Sequence, residues 1–404
     1  MRLPLSPQLR RFILIAADLL VIFLLSLSVR QWIGYHLLAP LAWFIFLDAA
    51  GVYEIRNLKG LRPIVGAAIL ALFPLILSFI LIPSMRLDLI LHYLSVLLAL
   101  TAIRLINRMI LYQKPFLFRV AILANGYEQE VMKTISQFPE FELITCCHEN
   151  GGDLNREEID AVLVMNGSLP GRMNNGLPVV RFERLYEILT GRTHQEEIKG
   201  LTRDCLMRRR PIYDLIKRTC DLLGATVGLI LYGLLLPAIS LLIKIDSSGP
   251  IFYKQRRTGV NNRPYTLWKL RTMVKDAEKG KAVWAQERDP RVTRIGRLLR
   301  KTRLDEFAQL INILRGEMSA VGPRPERPEM EEELRQKVPN YELRYLVKPG
   351  MAGWAMVNYG YIASIEDALI RHEFDIYYIK YRSLYLDIKI FLRAVVQLVM
   401  MRGR

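Results

Sequence analysis

Two neighbouring carboxylates, Asp305 and Glu306, lie in the stretch Thr302-Arg303-Leu304-Asp305-Glu306-Phe307-Ala308-Gln309-Leu310-Ile311-Asn312-Ile313-Leu314-Arg315. Leu304, Phe307, Ile311 and Leu314 recur at helical spacing and predict a buried apolar stripe, while Asp305, Gln309 and Asn312 predict a polar face. Thr302 and Asp305 have capping-box spacing, which puts Asp305 in the first helical turn, near the positive end of the helix dipole. A carboxylate there stays ionised. Two readings of that charge are open: a nucleophile, or simply a good helix cap.

The surroundings favour the nucleophile. Arg288, Arg291, Arg294, Arg297, Arg300, Lys301 and Arg303 lead into the pair, and Arg315 and Arg324 lead out. This much positive charge suits a pyrophosphate substrate, because a guanidinium grips phosphate through two hydrogen bonds. Part of the same run also suits a helix facing lipid headgroups. Arg324 stands between Pro323 and Pro325, which fix the backbone on both sides and pre-organise its side chain. Upstream, Gly249-Pro250-Ile251-Phe252-Tyr253-Lys254-Gln255-Arg256-Arg257 and Thr266-Leu267-Trp268-Lys269-Leu270-Arg271 read as strand pieces carrying alternating cations. Downstream, Lys348-Pro349-Gly350-Met351-Ala352-Gly353-Trp354 reads as a Gly/Pro turn. Tyr377, Tyr378, Tyr381 and Tyr385 then precede an apolar helix of interfacial type.

These residues occupy the basic end of a 404-residue chain that is 51% hydrophobic and has a net charge of +17, a composition that excludes disorder and collagen-like architecture. Residues 1–116, 117–199 and 200–404 carry net charges of +7, −5 and +15. Four apolar segments, Phe12–Val29, Leu37–Tyr53, Ile64–Pro83 and Leu87–Leu111, approach the ~20 residues that a helix needs to cross a bilayer. A bundle of four transmembrane helices is therefore expected over 1–116. Arginines and lysines cluster before the first segment, between the second and third, and after the fourth, so the positive-inside rule places both ends of the bundle in the cytoplasm. Asp18 and Asp48 fall within spans, where an ionisable group faces protein rather than lipid.

From Phe118 the pattern changes to short apolar strands, FRVAIL, FELITCC, AVLVMN and LPVVRF, separated by a helical stretch and loops, which predicts a small parallel sheet over 117–199. Asn125-Gly126 stands where a dinucleotide fold would carry GxGxxG, so the module is expected to be a degenerate Rossmann-like one that packs, regulates or dimerises. After Arg208-Arg209-Arg210, residues 212–245 form a long apolar helix pattern interrupted by Pro237. A crossing there would carry the basic residues 250–404 to the far side, so a re-entrant helix turning back at Pro237 is expected instead. Four cysteines without CxxC and five scattered histidines without HExxH exclude a disulfide framework and a dedicated transition-metal site. Nucleic acid would explain the charge as well as an anionic membrane does, but the apolar N-terminal third favours the membrane, and no nucleic acid is expected as a partner.

From about Pro211 to Arg404 the chain resembles the bacterial sugar transferase domain of the monotopic polyprenol-phosphate phosphoglycosyl transferases. As a whole it resembles their large form, with four N-terminal helices, a Rossmann-like insert and an α/β catalytic domain over 200–404. The motifs are, in order, GPIFYKQRR, KLRTM, DPRVTRIGRLLRKTRLDEFAQLINILRG, MSAVGPRPE and KPGMAGWA. The resemblance implies transfer of a phospho-sugar from a UDP-sugar to undecaprenyl phosphate, with release of UMP, at the start of exopolysaccharide, capsule or O-antigen assembly. It implies that Asp305 is the nucleophile, that Glu306 holds Mg²⁺, that Arg324 binds phosphate and that Lys269 and Arg271 belong to the site. Arg303, Gln309 and Arg315 are expected at the substrate beside them, with Pro323 and Pro325 as structural supports and Pro237 at the re-entrant break. It also implies a multi-pass protein of the bacterial cytoplasmic membrane whose catalytic domain faces the cytoplasm, and a homodimer by likeness alone. Ala352 and Met356 replace the Thr and Gln that members commonly carry. The run from Asn358 to Asp387 looks most like transferases using a UDP-hexose, glucose or galactose. The competing class is a membrane-anchored scaffold whose basic half recruits anionic lipid or an assembly partner.

Overall fold

The computed structural model describes residues 7–26, 43–45, 47–48, 86–111, 118–123, 128–138, 141–147, 159–165, 177–275, 277, 289–359 and 364–399. They fall into two compact units, Met1–Gly191 and Arg192–Arg404.

In the first unit, helices α1 (Pro7–Ser26) and α2 (Arg86–Leu111) contribute to an apolar core of Leu14, Ile22, Trp43, Leu47, Val96 and Leu100. Asp18 and Asp48 are buried, as an ionisable group in such segments requires. These helices coincide with the first and fourth predicted apolar segments; the second is described only at 43–45 and 47–48, and the third lies outside the described residues. Strands β1 (Phe118–Leu123), β2 (Phe141–Cys147), β3 (Ala161–Val164) and β4 (Val179–Arg181) form a parallel sheet of order β2-β1-β3-β4, with α3 (Glu128–Ile135) joining β1 to β2. All four residues of β3 are buried, which is what an unbroken apolar run predicts for an inner parallel strand. The Asn125-Gly126 turn lies outside the described residues. Helix α4 (Phe182–Thr190) closes the unit.

The second unit starts at Arg192. The reason is packing: α5 (Gln195–Gly200) and α6 (Arg203–Leu206) put Ile198 and Leu206 into a core with Trp354, Phe374, Ile376 and Ile390. Then come α7 (Pro211–Asp246), the antiparallel hairpin of β5 (Phe252–Thr258) and β6 (Pro264–Leu270), α8 (Arg294–Lys301), a 3-10 helix (Leu304–Gln309) and α9 (Leu310–Leu314). The chain finishes with β7 (Ser319–Val321), α10 (Pro328–Lys337), a second 3-10 helix (Tyr341–Leu346), β8 (Gly350–Ala352), α11 (Trp354–Asn358), α12 (Ile365–Tyr381) and α13 (Leu384–Val399).

Among the described residues, α7 is the one helix long and apolar enough to cross a membrane. It runs through Pro237 as a single helix, so the structure shows no helix break at that proline. One stripe, Asp221, Ala225, Tyr232, Ile239 and Ile243, is buried against the unit. Polar contacts fasten it along its length: Tyr213 and Lys217 to Asp387, Arg218 to the carbonyls of Ile313 and Leu314, Asp221 to the Ala320 amide, and Asp246 to the Ile295 amide at the start of α8. The outer flank, including Leu223, Ile230, Leu234, Leu241 and Ile245, is exposed.

The GPRP and KPGMAG motifs meet because β7 and β8 pair in parallel, with the Gly322 amide donating to Ala352 O and the Gly350 amide to Pro323 O. A Cβ on Gly350 would fall inside contact distance of the Gly322 backbone, and one on Gly353 would meet Gly322 O. Overpacking such a site costs about 1–3 kcal/mol. Gly350→Ala is therefore expected to lower the thermal unfolding midpoint of the purified protein by several degrees; an unchanged midpoint would contradict this close pairing.

Candidate active site

Strand β6 delivers Lys269. Asn312 of α9 holds the strand in place, its side-chain amide donating to Thr266 O at 2.7 Å and its Oδ1 accepting from the Trp268 amide at 3.2 Å. Beside it, α8 ends at Thr302, and Arg303 takes a left-handed conformation at φ 55, which swings the chain into the 3-10 turn carrying both carboxylates. The predicted capping box does not form. Thr302 bonds backward, from Oγ1 to Leu298 O and Leu299 O, because it belongs to the end of α8.

The expected burial pattern is reversed as well. Asp305, Gln309 and Asn312 are buried at 7%, 3% and 0% exposure, whereas Leu304, Phe307 and Ile311 are only partly covered and Leu314 is exposed. Of the polar side, Asn312 finds its partners inside, at Thr266 O, the Trp268 amide and the Glu317 carboxylate. The apolar side turns towards α7, where the Tyr232 ring stacks on Phe307 at 5.8 Å. The Tyr232 hydroxyl is buried without a hydrogen-bond partner among the described residues, a feature that an apolar helix pattern gives no means of foreseeing.

Glu306 Oε1 accepts from Arg324 Nη2 at 2.9 Å and from Lys269 Nζ at 3.3 Å, and Oε2 lies 3.8 Å from Arg303 Nη1. Burial works against the Glu306 charge, but Arg324 and Lys269 outweigh it and hold the carboxyl well below the usual range. Asp305 goes the other way: burial first, and then the charge of Glu306, push it up to about 6 against the opposing cations. Its carboxylate makes no hydrogen bond or ion pair among the described residues. Burial lowers the Lys269 pKa, and Glu306 opposes that shift. One carboxylate is thus clamped and the other left free, within one turn of chain. Arg324 keeps a third of its side chain open while Pro323, Pro325 and Glu326 are buried.

Lys269, Arg303 and Arg324 therefore meet at Glu306, and Gln309 is buried on the same 3-10 turn. Arg271 and Arg315 have other partners. The Arg271 guanidinium donates to Pro250 O at 2.5 Å and to Ser247 O and Oγ at 2.6 and 3.0 Å, closing the turn between α7 and β5 where Gly249 sits at φ 130. The Arg315 guanidinium lies 5.7 Å from the Trp268 ring, which Lys254 approaches at 4.3 Å. Arg291 is paired with Asp289, and Arg300 bonds Thr272. Among the described residues no three His, Cys, Asp or Glu side chains gather as a metal cage. The oxygen donors on hand are the two carboxylates, a set that suits Mg²⁺ when substrate phosphates and water complete its coordination.

Residues 212–401 match the bacterial sugar transferase family. The chain is 39% identical over 219 residues to the UDP-N-acetylgalactosamine-undecaprenyl-phosphate N-acetylgalactosaminephosphotransferase of Aeromonas hydrophila, covering 54% of this chain and 52% of that protein. It is 43% identical over 191 residues to the UDP-glucose:undecaprenyl-phosphate glucose-1-phosphate transferase of Escherichia coli (strain K12), covering 45% and 41%. To the exopolysaccharide production protein PSS of Rhizobium leguminosarum bv. phaseoli it is 36% identical over 190 residues, covering 45% of this chain and 94% of that one. The match spans about half or less of the first two relatives and nearly the whole of the third. The chain belongs to the bacterial sugar transferase family.

Removing one partner from a buried ion pair leaves the other charge undercompensated, at a cost of about 1–3 kcal/mol when a second partner remains. Lys269→Met is expected to destabilise the protein by that amount, and Glu306→Gln added to it should restore most of the loss. Additive losses in thermal unfolding would mean that the two groups do not interact.

Proposed function

We propose that this protein transfers a sugar-1-phosphate from a UDP-sugar to undecaprenyl phosphate, giving undecaprenyl-diphospho-sugar and UMP, and so initiates a polysaccharide such as exopolysaccharide, capsule or O-antigen. The observation that carries the proposal is a buried Asp305 without partners among the described residues, next to a Glu306 clamped by Arg324 and Lys269. The relatives are named for two different sugars, so the donor is proposed as a UDP-hexose, glucose or galactose, on the strength of the C-terminal resemblance.

In the first half-reaction an Asp305 oxygen attacks the phosphorus that bears the sugar; the Asp305 O–P bond forms, the bond to the uridine-side phosphate breaks, and UMP leaves as an anion. In the second, a phosphate oxygen of undecaprenyl phosphate attacks the same phosphorus and Asp305 departs as its carboxylate. Neither half needs a proton from the protein, and splitting the displacement makes each step easier. At about 6, the Asp305 pKa leaves most of the group ionised at neutral pH. Arg324 and Lys269 are placed to grip the diphosphate and to meet the charge that grows on the leaving phosphate. Mg²⁺, when bound at Glu306 with the substrate phosphates, supplies further charge neutralisation there. The outer flank of α7 and the exposed Tyr385, Ile388 and Phe391 of α13 give the unit apolar surface for a lipid bilayer, which brings the site to the level of the acceptor phosphate. The proposed seat is the cytoplasmic face of the membrane, in line with the distribution of basic loops.

The test is incubation of purified protein with undecaprenyl phosphate, Mg²⁺ and a panel of UDP-sugars, followed by identification of the nucleotide released. UMP is expected, from one sugar above the others. UDP would mean plain glycosyl transfer and overturn the covalent step, while no nucleotide together with salt-sensitive lipid binding would favour a scaffold. Asp305→Asn is expected to remain folded and lose activity at least about a thousandfold; retention of most turnover would remove Asp305 as nucleophile. Chelation by EDTA should stop UMP release and added Mg²⁺ restore it, whereas unchanged turnover in EDTA would rule out the metal.

A further inference from the structure

The segment Pro323-Arg324-Pro325-Glu326 lacks two backbone donors, so it cannot satisfy itself as helix or strand, and its carbonyls need donors from elsewhere. All four have one. Pro323 O accepts from the Gly350 amide at 2.9 Å, and Glu326 O from the Thr258 amide at 3.4 Å. The two in the middle are taken by arginines: Arg344 Nη2 and Arg371 Nη2 reach Arg324 O at 2.8 and 3.3 Å, and Arg257 Nη1 reaches Pro325 O at 3.0 Å. They come from three elements, β5, the second 3-10 helix and α12.

All three guanidinium groups are largely buried, at 12%, 3% and 10% side-chain exposure for Arg257, Arg344 and Arg371. Buried cations are tolerated only when paired and fully hydrogen-bonded. Asp375 pairs with Arg344 at 2.8 Å, and Glu326 pairs with Arg371 and lies 3.8 Å from Arg257. Apolar side chains would fill this volume with less desolvation. What the charged set adds is direction, since two of its arginines end on the carbonyl of Arg324, whose own guanidinium bonds Glu306.

We infer that Arg257, Arg344 and Arg371, with Glu326 and Asp375 as their counterions, are positioning residues that aim Arg324 at Glu306 and at the substrate diphosphate. The inference rests on the function proposed above. They touch no reacting atom. They act by holding the loop, and a displacement of about 1 Å at a phosphate-gripping group is enough to cost on the order of a hundredfold in rate.

The test is a double-mutant cycle on the full chain, read both as UMP release and as calorimetric affinity for UDP-glucose and UDP-galactose. Arg371→Lys keeps a cation opposite Glu326 but loses the fork that spans Glu326 and Arg324 O. It is expected to lower kcat about 10- to 100-fold with an unchanged unfolding midpoint. In an Arg324→Ala background the same substitution should change the rate less than about threefold, because the group it positions is gone. Equal factors in both backgrounds would overturn the inference while leaving the proposed function intact. A wild type that binds and turns over no UDP-sugar would overturn both. Should Arg371→Lys not fold, Arg344→Lys completes the same cycle through the same carbonyl.

Discussion

A carboxylate buried beside a second carboxylate keeps its charge only if cations are brought to it, and that requirement at Glu306 organises the catalytic unit. The cations arrive on three pieces of chain: Lys269 on β6, Arg303 at the left-handed turn before the 3-10 helix, and Arg324 on the doubly proline-flanked loop. Each piece has its own fastening. Asn312 ties β6 to α9, Gly322 and Gly350 let β7 and β8 close on each other, and buried arginines hold the loop carbonyls. Because the cations converge on Glu306, Asp305 is left with burial and a like charge, and its pKa moves up to about 6. Two adjacent residues of similar chemistry thus acquire different properties from their surroundings, as acid-base and nucleophilic sites require.

Much of this site could be read in the sequence because its chemistry is concentrated in short runs. Asp305, Glu306, Arg303 and Arg324 stand out by type and spacing and Lys269 by the family resemblance, and the three cations meet at Glu306. What the sequence does not carry is direction. Arg271 and Arg315 are as basic as Arg324, yet one closes a turn and the other lies over Trp268, because a formal charge says nothing of which carbonyl or ring stands nearest. The Thr302–Asp305 spacing matched a capping box, but the left-handed Arg303 between them ends one helix and begins another, so Thr302 serves the earlier one. Arg344, Arg371 and Glu326 went unnoticed since their meaning depends on contacts between residues 45 and 47 positions apart and on others 20 apart.

The fold was legible to a different degree in each unit. Alternating apolar runs and loops indicated the parallel sheet, and β1 to β4 fall on the four predicted strands, since a buried parallel strand leaves an unbroken apolar signature. The reversed burial of the 3-10 turn shows where hydropathy misleads. An apolar stripe marks the side turned away from water, and in a unit that carries a long apolar helix this need not be the protein core. Leu304 and Phe307 join the cluster around Tyr232, Ile239 and Ile243, while the polar face of Asp305, Gln309 and Asn312 is buried.

Helix α7 gives the same point its consequence for topology. At 1.5 Å per residue its 36 residues extend about 54 Å, well beyond the ~30 Å of a hydrocarbon core, so length alone permits a crossing. The sequence argument against it rested on the basic residues 250–404 and the positive-inside rule, with Pro237 as the point of return, yet the helix continues through that residue. The structure offers another constraint. The start of α7 is tied to Asp387, its middle to the Ala320 amide and Phe307, and its end to the Ile295 amide, all within one folded unit. A helix bound to its unit at both ends and in between cannot pass through a bilayer while that unit stays on one side. These contacts hold the helix to its own unit with its apolar flank turned outward, and they do so without any break in the helix at Pro237.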